Sequence, residues 1–364
     1  MTDLKAVLDR FAFPSGAKTA APFGNGHIND TYLVTVEGAE DRYILQRINH
    51  FVFTRPEQVM ENMAGVTSYL RERILEEGGD PRRETVTVIP ALDGTLSVKD
   101  AGGNTWRVLL CVPDSVSPEH PDDPAMLEEC GRIFGLFSRR LRDYPAHTLH
   151  ETIPDFHNTP VRMEQLEAAV RKDAAGKKAF VRPELDFARA RAERTGCLLK
   201  QHREGVLPLR VTHNDTKVNN VLFDRRTGRA ICVVDLDTVM PGLLAYDFGD
   251  AIRVGASTAD EDERDLSKVS LDLANYEAFA RGWLGELGPV LSVPELLSLS
   301  EGAWMMTFEN GLRFLADHLN GDVYFKVHRP DQNLDRARAQ FALAADMERK
   351  KSRMESILLS LTGR

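Results

Sequence analysis

Between residues 18 and 112 the chain alternates short apolar, β-branched runs with Gly, Asp and Asn punctuation: "TYLVTV", "RYILQRI", "ETVTVIPAL" and "TWRVLLCV". These runs predict strands. Between the second and third lies "PEQVMENMAGVTSYLRERILEEGG", whose apolar residues recur at three and four, with a proline at its start and a glycine pair at its end. That spacing and punctuation predict a helix. Strands with one inserted helix describe a small α+β lobe.

A proline-rich, acidic connector, "VPDSVSPEHPDDP", follows, and the periodicity changes. The stretches "AMLEECGRIFGLFSRRLRDY", "VRMEQLEAAVRKDAAGKKAF", "ELDFARARAERTGCLLKQHREG", "LANYEAFARGWLGEL" and "DRARAQFALAADMERKKSRMESILLSL" all carry helical spacing. The exception is "RVTHNDTKVNNVLFD" with its successor "AICVVDLD", joined by the turn "DRRTGR", which predicts a β-ribbon within a helical lobe. The predicted organisation is α+β, with a β-rich N-lobe over residues 1–112 and a mainly helical C-lobe over 113–364. No internal repeat or low-complexity tract interrupts it.

Composition narrows the function classes. Hydrophobic residues make up 42% and charged residues 28%, the balance of an ordinary globular protein. With 55 acidic against 46 basic side chains, the net charge of -9 argues against a nucleic-acid partner, which a basic footprint would have to attract. A small-molecule partner is expected instead. The four scattered cysteines show no CxxC pairing and are read as core thiols of a reducing compartment. The opening "MTDLKAVLDRFAF" lacks the apolar run of a signal peptide, and no stretch approaches a membrane span, so no membrane association and a cytoplasmic location are expected.

The polar cluster between the predicted strands carries the chemistry. His213, Asp215 and Asn220 fit H-x-D-x-x-x-x-N, and Asp235 follows at the end of an apolar strand. Phosphoryl transfer from ATP needs a carboxylate to accept the proton of the attacking hydroxyl and oxygen ligands to hold Mg²⁺ against the phosphates. Asp215, Asn220 and Asp235 supply that set, and Mg²⁺ takes oxygen donors while keeping several waters. A polar hairpin whose Asp and Asn only shape turns is the commoner use of such residues. The further acid after an apolar strand argues for chemistry. Lys217 either offsets phosphate charge or is a solvated loop lysine. Asp237, two residues beyond Asp235, could reach metal or substrate, or cap the following turn.

The strings "THNDTKVNNVLFD", "VVDLDTVMPGLLAYDFGDAIR" and "GNGHINDTYLV" resemble the aminoglycoside phosphotransferase and choline kinase superfamily, and within it the N-acetylhexosamine 1-kinases. The likeness runs through nearly the whole chain. It implies a two-lobed, protein-kinase-like fold with ATP between the lobes, Asp215 as the base on the sugar's anomeric hydroxyl, and Asn220 and Asp235 on Mg²⁺. It also implies adenine contact at a hinge near Leu110 and Val112. In "FGNGHIND" the glycines Gly24 and Gly26 would let backbone amides approach phosphates. By the same resemblance His27 becomes a sugar contact and Asn29 a phosphate contact.

One departure stands out. Kinases of the wider superfamily carry a lysine on the third strand, where "RYILQRIN" presents Gln46, a glutamine the resembling subgroup shares. Arg47 should point to the opposite face, so the phosphate contact has no assigned residue. In "FENGLRFLADHLNGDVYF", Glu309, Arg313 and Asp317 recur at i, i+4 on one helix face. They form either a surface ion-pair ladder or, by the resemblance, a sugar pocket to which Arg313 and Tyr324 contribute. Asp247 is expected to brace the catalytic loop. The alternatives are a kinase of another small alcohol, or a catalytically inactive kinase-like binding protein.

Overall fold

The computed structural model describes residues 3–24, 28–121 and 123–364. In chain order it forms α1 (Leu4–Leu8), β1 (Lys18–Pro22), β2 (Asp30–Val36), β3 (Arg42–Arg47), α2 (Pro56–Glu76), α3 (Pro81–Glu84), β4 (Val88–Ile89), β5 (Val98–Lys99), β6 (Thr105–Leu110) and β7 (Ser115–Val116). There follow α4 (Pro124–Arg140), α5 (Thr159–Lys172), α6 (Arg182–Arg189), α7 (Cys197–Arg203), β8 (Arg210–Thr212), β9 (Val221–Asp224) and β10 (Ala230–Val233). The chain ends with α8 (Leu244–Gly255), α9 (Leu273–Leu287), α10 (Val293–Asn320) and α11 (Gln332–Thr362). Two compact units result: Met1–Pro118, Phe137–Pro154 and Asn219–Pro241 form the first, and Glu119–Leu136, Asp155–Val218 and Gly242–Arg364 the second.

The first unit is built on an antiparallel sheet of order β1-β2-β3-β6-β4, with β5 also paired to β6. Alternation sets its register, so that Gln46 of β3 faces Thr31 of β2 on one side and Arg107 of β6 on the other. Val34, Leu45, Trp106 and Val108 are buried beneath α1, where Val7, Leu8 and Phe11 close the core. Each such side chain contributes about 1.5–3 kcal/mol. Of "ETVTVIPAL" Val88–Ile89 forms the strand; Pro90 has no N–H to continue the ladder, and Ala91 beyond it makes an isolated bridge with Phe11. In α2 the proline at its first turn and Gly78 in the left-handed region (φ 76°) mark the two ends, and Val59, Met63, Val66, Leu70 and Ile74 form the buried stripe.

The ribbon also belongs to this unit. β9 pairs antiparallel with β10 on one edge and with β7 on the other. Asp224 organises its turn by accepting from the Arg226 and Thr227 N–H groups at 3.0 and 2.7 Å, while Arg83 of α3 donates to its other oxygen at 2.8 Å.

The second unit is helical, and α10 is its axis, buried along most of its length. A capping box at Ser292 and Glu295 starts it, and Gly321 in the left-handed region ends it. Helix α8 meets α10 backbone to backbone: a Cβ on Gly302 would come within 2.0 Å of the Ala245 carbonyl oxygen, and one on Gly249 within 2.3 Å of the Gly302 carbonyl oxygen. Larger residues at either point would push the helices apart. The single helix predicted over "ELDFARARAERTGCLLKQHREG" is instead two, α6 and α7, separated by a 3₁₀ turn at Ala192–Gly196. Tertiary contacts override periodicity here, since Arg191 and Arg194 stack on Phe187 and Trp304 and bond Glu348 and Glu301. Among the described residues, no helix is long and apolar enough to cross a membrane.

Candidate active site

The loop after β8 is held rigidly within the second unit. His213 is fully buried, and its Nδ1 accepts from the Asp215 N–H at 3.2 Å. The Asp247 carboxylate, from the first turn of α8, accepts from the His213 N–H at 2.8 Å and the Asn214 N–H at 2.7 Å. Burial pushes the Asp247 carboxyl up to about 6, while these two N–H groups and the neighbouring His213 work against that rise. Asp250 accepts from the Thr216 N–H at 3.2 Å and is itself held by Arg253 at 3.0 Å. Two carboxylates of one helix thus hold the N–H groups of His213, Asn214 and Thr216, on both sides of Asp215.

Asp215 is part-exposed, as a group that must meet a substrate has to be. The Lys217 ammonium lies 2.6 Å from its carboxylate, and that attraction holds the lysine above its usual range. The loop lysine is therefore not simply solvated: it is paired with Asp215. Asn214 has φ 65°, an uncommon conformation that the bonds to Asp247 over-determine.

In the first unit, Asn220 and Asp235 lie at the adjoining ends of β9 and β10. The Val234 N–H donates to the Asn220 carbonyl at 2.9 Å, which brings Asp235 beside Asn220. Asp235 is exposed and turns the chain through the left-handed region at φ 62°. Asp is one of the few residues that visits this region readily. An amide and a carboxylate oxygen suit a hard cation such as Mg²⁺.

The strand position without a lysine is occupied by a network. Gln46 Oε1 accepts from Arg107 Nε at 2.9 Å and Nη2 at 2.7 Å, and Gln46 Nε2 donates to Thr31 at 3.2 Å. Arg107, only 1% exposed, forms an ion pair with Asp237, whose other oxygen accepts from Asn29 Nδ2 at 2.7 Å. Asn29 Oδ1 in turn accepts from the Asn49 N–H at 3.0 Å. Asp237 is thus neither exposed nor a turn cap, and both ends of the Asn29 amide are engaged. Arg107 was not singled out by sequence, although a lone arginine inside the apolar run "TWRVLLCV" was a signal.

Gly24 has φ 74° with open space around its Cα, whereas Gly26 and His27 lie outside the described residues. At the end of β6, the Leu110 N–H donates to Thr87 at 2.8 Å and the Val112 carbonyl accepts from Ser115 Oγ at 2.8 Å.

In the second unit the surface-ladder alternative for α10 is overturned by burial: Glu309 is 0% and Asp317 5% exposed. Glu309 bonds His157 and Thr159 at 2.9 and 2.7 Å. Asp317 accepts from the N–H groups of Val323, Tyr324 and Phe325, fixing the loop on which the Tyr324 side chain stands exposed. Between these anchors Arg313 lies over the rings of Phe156 at 5.7 Å and Phe325 at 5.4 Å, bonded to Asn310 Oδ1 at 3.2 Å. Sequence spacing identified the three residues but not that two of them are anchors.

Residues 19–283 match the model of the phosphotransferase enzyme family, APH. The chain belongs to that family. Among solved structures this phosphotransferase is similar to an aminoglycoside phosphotransferase of Alicyclobacillus acidocaldarius, with TM-score 0.61 and 14% identity over 99% of this chain and 96% of that one. It is also similar to an ethanolamine kinase of Plasmodium vivax, with TM-score 0.57 and 15% identity over 89% of this chain and 82% of that one. Likeness at such identities is one of fold, and the fold is protein-kinase-like: an antiparallel sheet unit and a helical unit, as the hydrophobic pattern predicts.

Proposed function

We propose that this phosphotransferase is an ATP- and Mg²⁺-dependent kinase that phosphorylates the anomeric hydroxyl of an N-acetylhexosamine, N-acetylglucosamine or N-acetylgalactosamine, giving the sugar 1-phosphate and ADP. The observation that carries this reading is Arg313, held between Phe156 and Phe325 in the same unit as the braced Asp215. A guanidinium fork donates to hydroxyls or an acetamide carbonyl, and it would repel a cationic acceptor such as choline or an aminoglycoside. Tyr324 offers an edge and a face to a sugar ring. His27 is the further sugar contact in this reading.

Asp215 accepts the proton of the sugar hydroxyl as the oxygen–phosphorus bond forms and the bond from the γ-phosphorus to the ADP oxygen breaks. Lys217, 2.6 Å from the Asp215 carboxylate, holds it in place. Asn220 and Asp235 would hold Mg²⁺, which neutralises phosphate charge when bound. Leu110 and Val112 would meet the adenine, with Gly24, Gly26 and Asn29 near the phosphates. Because the transition state is loose, positioning and charge neutralisation supply most of the acceleration. The reading implies a partner that is a small sugar, and places the enzyme in the cytoplasm.

The test is ADP release from Mg-ATP with N-acetylglucosamine, N-acetylgalactosamine, glucose, galactose, choline and homoserine. Strong turnover confined to the acetylated sugars supports the reading. Turnover only with another acceptor would reassign the substrate within the same family, and no turnover with any would favour an inactive, nucleotide-binding protein.

A further inference from the structure

The peptide joining Asn214 to Asp215 is gripped at both ends by histidines. Its N–H donates to His213 Nδ1 at 3.2 Å, and its carbonyl oxygen lies 3.3 Å from His157 Nε2. The other nitrogen of His157, Nδ1, lies 2.9 Å from Glu309 Oε1. A carbonyl and a carboxylate can only accept, so each of these two contacts calls for a proton on the His157 nitrogen that makes it.

This pair is built into the interior. The His157 side chain is 6% exposed and that of Glu309 0%. The second Glu309 oxygen accepts from Thr159 Oγ1 at 2.7 Å, which stops the carboxylate from turning away. Phe156 and Tyr246 pack on the imidazole at 4.5 and 5.2 Å between centroids, fixing its plane. Burial alone would raise the Glu309 carboxyl, yet His157, Thr159 and Arg313 hold it below its usual range. The titratable and charged groups around the pair are Arg313 on α10, Asp247 on α8, Arg162 on α5 and His213 on the loop itself.

A buried pair of this kind repays its desolvation poorly as a source of stability, and its best-attested use is to fix one geometry among several. The geometry at stake is the left-handed Asn214 at φ 65°, which sets the direction in which the next residue leaves the backbone. We propose that His157, locked by Glu309 and Thr159, is a positioning residue that orients the Asn214–Asp215 peptide and so aims the Asp215 carboxylate at the acceptor hydroxyl. The proposal rests on Asp215 being the base.

Two measurements on the full chain test it. In spectra of protein labelled with ¹⁵N-histidine at pH 7.5, one of the ten histidines should show both ring nitrogens protonated, and that signal should vanish in His157→Gln. A His157 ring with one bare nitrogen overturns the clamp. For activity, His157→Gln should lower kcat about tenfold or more at saturating Mg-ATP while the KM for ATP stays within about twofold, since misaim affects the reacting group rather than nucleotide binding. A kcat within twofold of wild type overturns the positioning role. Should that variant not fold, Thr159→Val keeps the packing and frees Glu309; a severalfold fall in kcat is expected, and an unchanged kcat overturns the proposal. If no sugar is turned over by the wild type, the acceptor assignment fails while the ring spectra, with slow phosphoryl transfer to water as the rate, still decide on the clamp.

Discussion

Gln46 on β3 and Arg107 on β6 stand opposite each other in the sheet, and the glutamine oxygen accepts from two nitrogens of the guanidinium at 2.9 and 2.7 Å. Gln46 is therefore the partner of a buried cation, Arg107. Gln46 spans the space between Thr31 and Arg107, and Arg107 spans that between Gln46 and Asp237. A lysine at 46 would set an ammonium against this guanidinium and strip it of an acceptor.

Gln46→Lys should accordingly destabilise the protein and lower turnover. Arg107→Met should leave Asp237 buried without a counter-charge, at a cost of about 3–5 kcal/mol. Urea unfolding of both variants checks this. Wild-type stability in Arg107→Met would mean that the Asp237 pair carries no structural weight.

Asp215→Asn should remove turnover by about 10²–10⁴-fold, the usual contribution of a positioned base, and leave nucleotide binding nearly unchanged. It also removes the charge that holds Lys217 at 2.6 Å. Isothermal titration with Mg-ATP alongside ADP-release kinetics separates the two effects. Residual turnover near the wild-type rate would mean that another group takes the proton.

What was legible in the sequence follows the contrast between faces. Strands β2 and β3 and helix α2 set buried positions against more accessible ones, so their periodicity is plain, whereas β6 has no exposed position and is legible only from its β-branched and aromatic composition. Helix α8 and most of α10 are buried on all sides, and a helix without a polar face offers no period to read. The polar cluster at residues 213–220 stood out because so many hydrogen-bonding groups sat between apolar strands. His157 could not stand out in the same way: its partners are 152 and 57 residues distant, and nothing local in "DFHNTP" foretells either. Arg107 likewise gains its meaning only from the register that brings Gln46 across from it.

If Arg313 contacts the acceptor as proposed, Arg313→Ala should raise the KM for the acceptor by tenfold or more with ATP affinity unchanged. Arg313→Lys keeps the charge but not the fork, so it should recover little of the loss. If the cation is what excludes positively charged acceptors, Arg313→Ala should also show improved relative use of choline. Unchanged acceptor kinetics in Arg313→Ala would remove it from the pocket.

Acid stability has an identifiable contributor far from the loop. Asp346 on α11 accepts from the Leu271 N–H and Ser270 hydroxyl at 2.8 Å each and from Lys350 at 2.7 Å. Burial would raise its carboxyl, but the Lys350, Leu271 and Ser270 bonds outweigh that and bring it down to about 2 from the ordinary 3.8. Between those two values the unfolded chain binds the proton that the folded one does not, so stability rises with pH across that window. The contribution, about 2 kcal/mol, is complete above pH 4 and is lost as pH falls through 2. Asp346→Asn should therefore cost this amount at pH 6 and progressively less towards pH 2, measured as the difference between wild-type and variant unfolding curves. A difference that stays constant over that range would show that the asparagine harms packing rather than removing a charge.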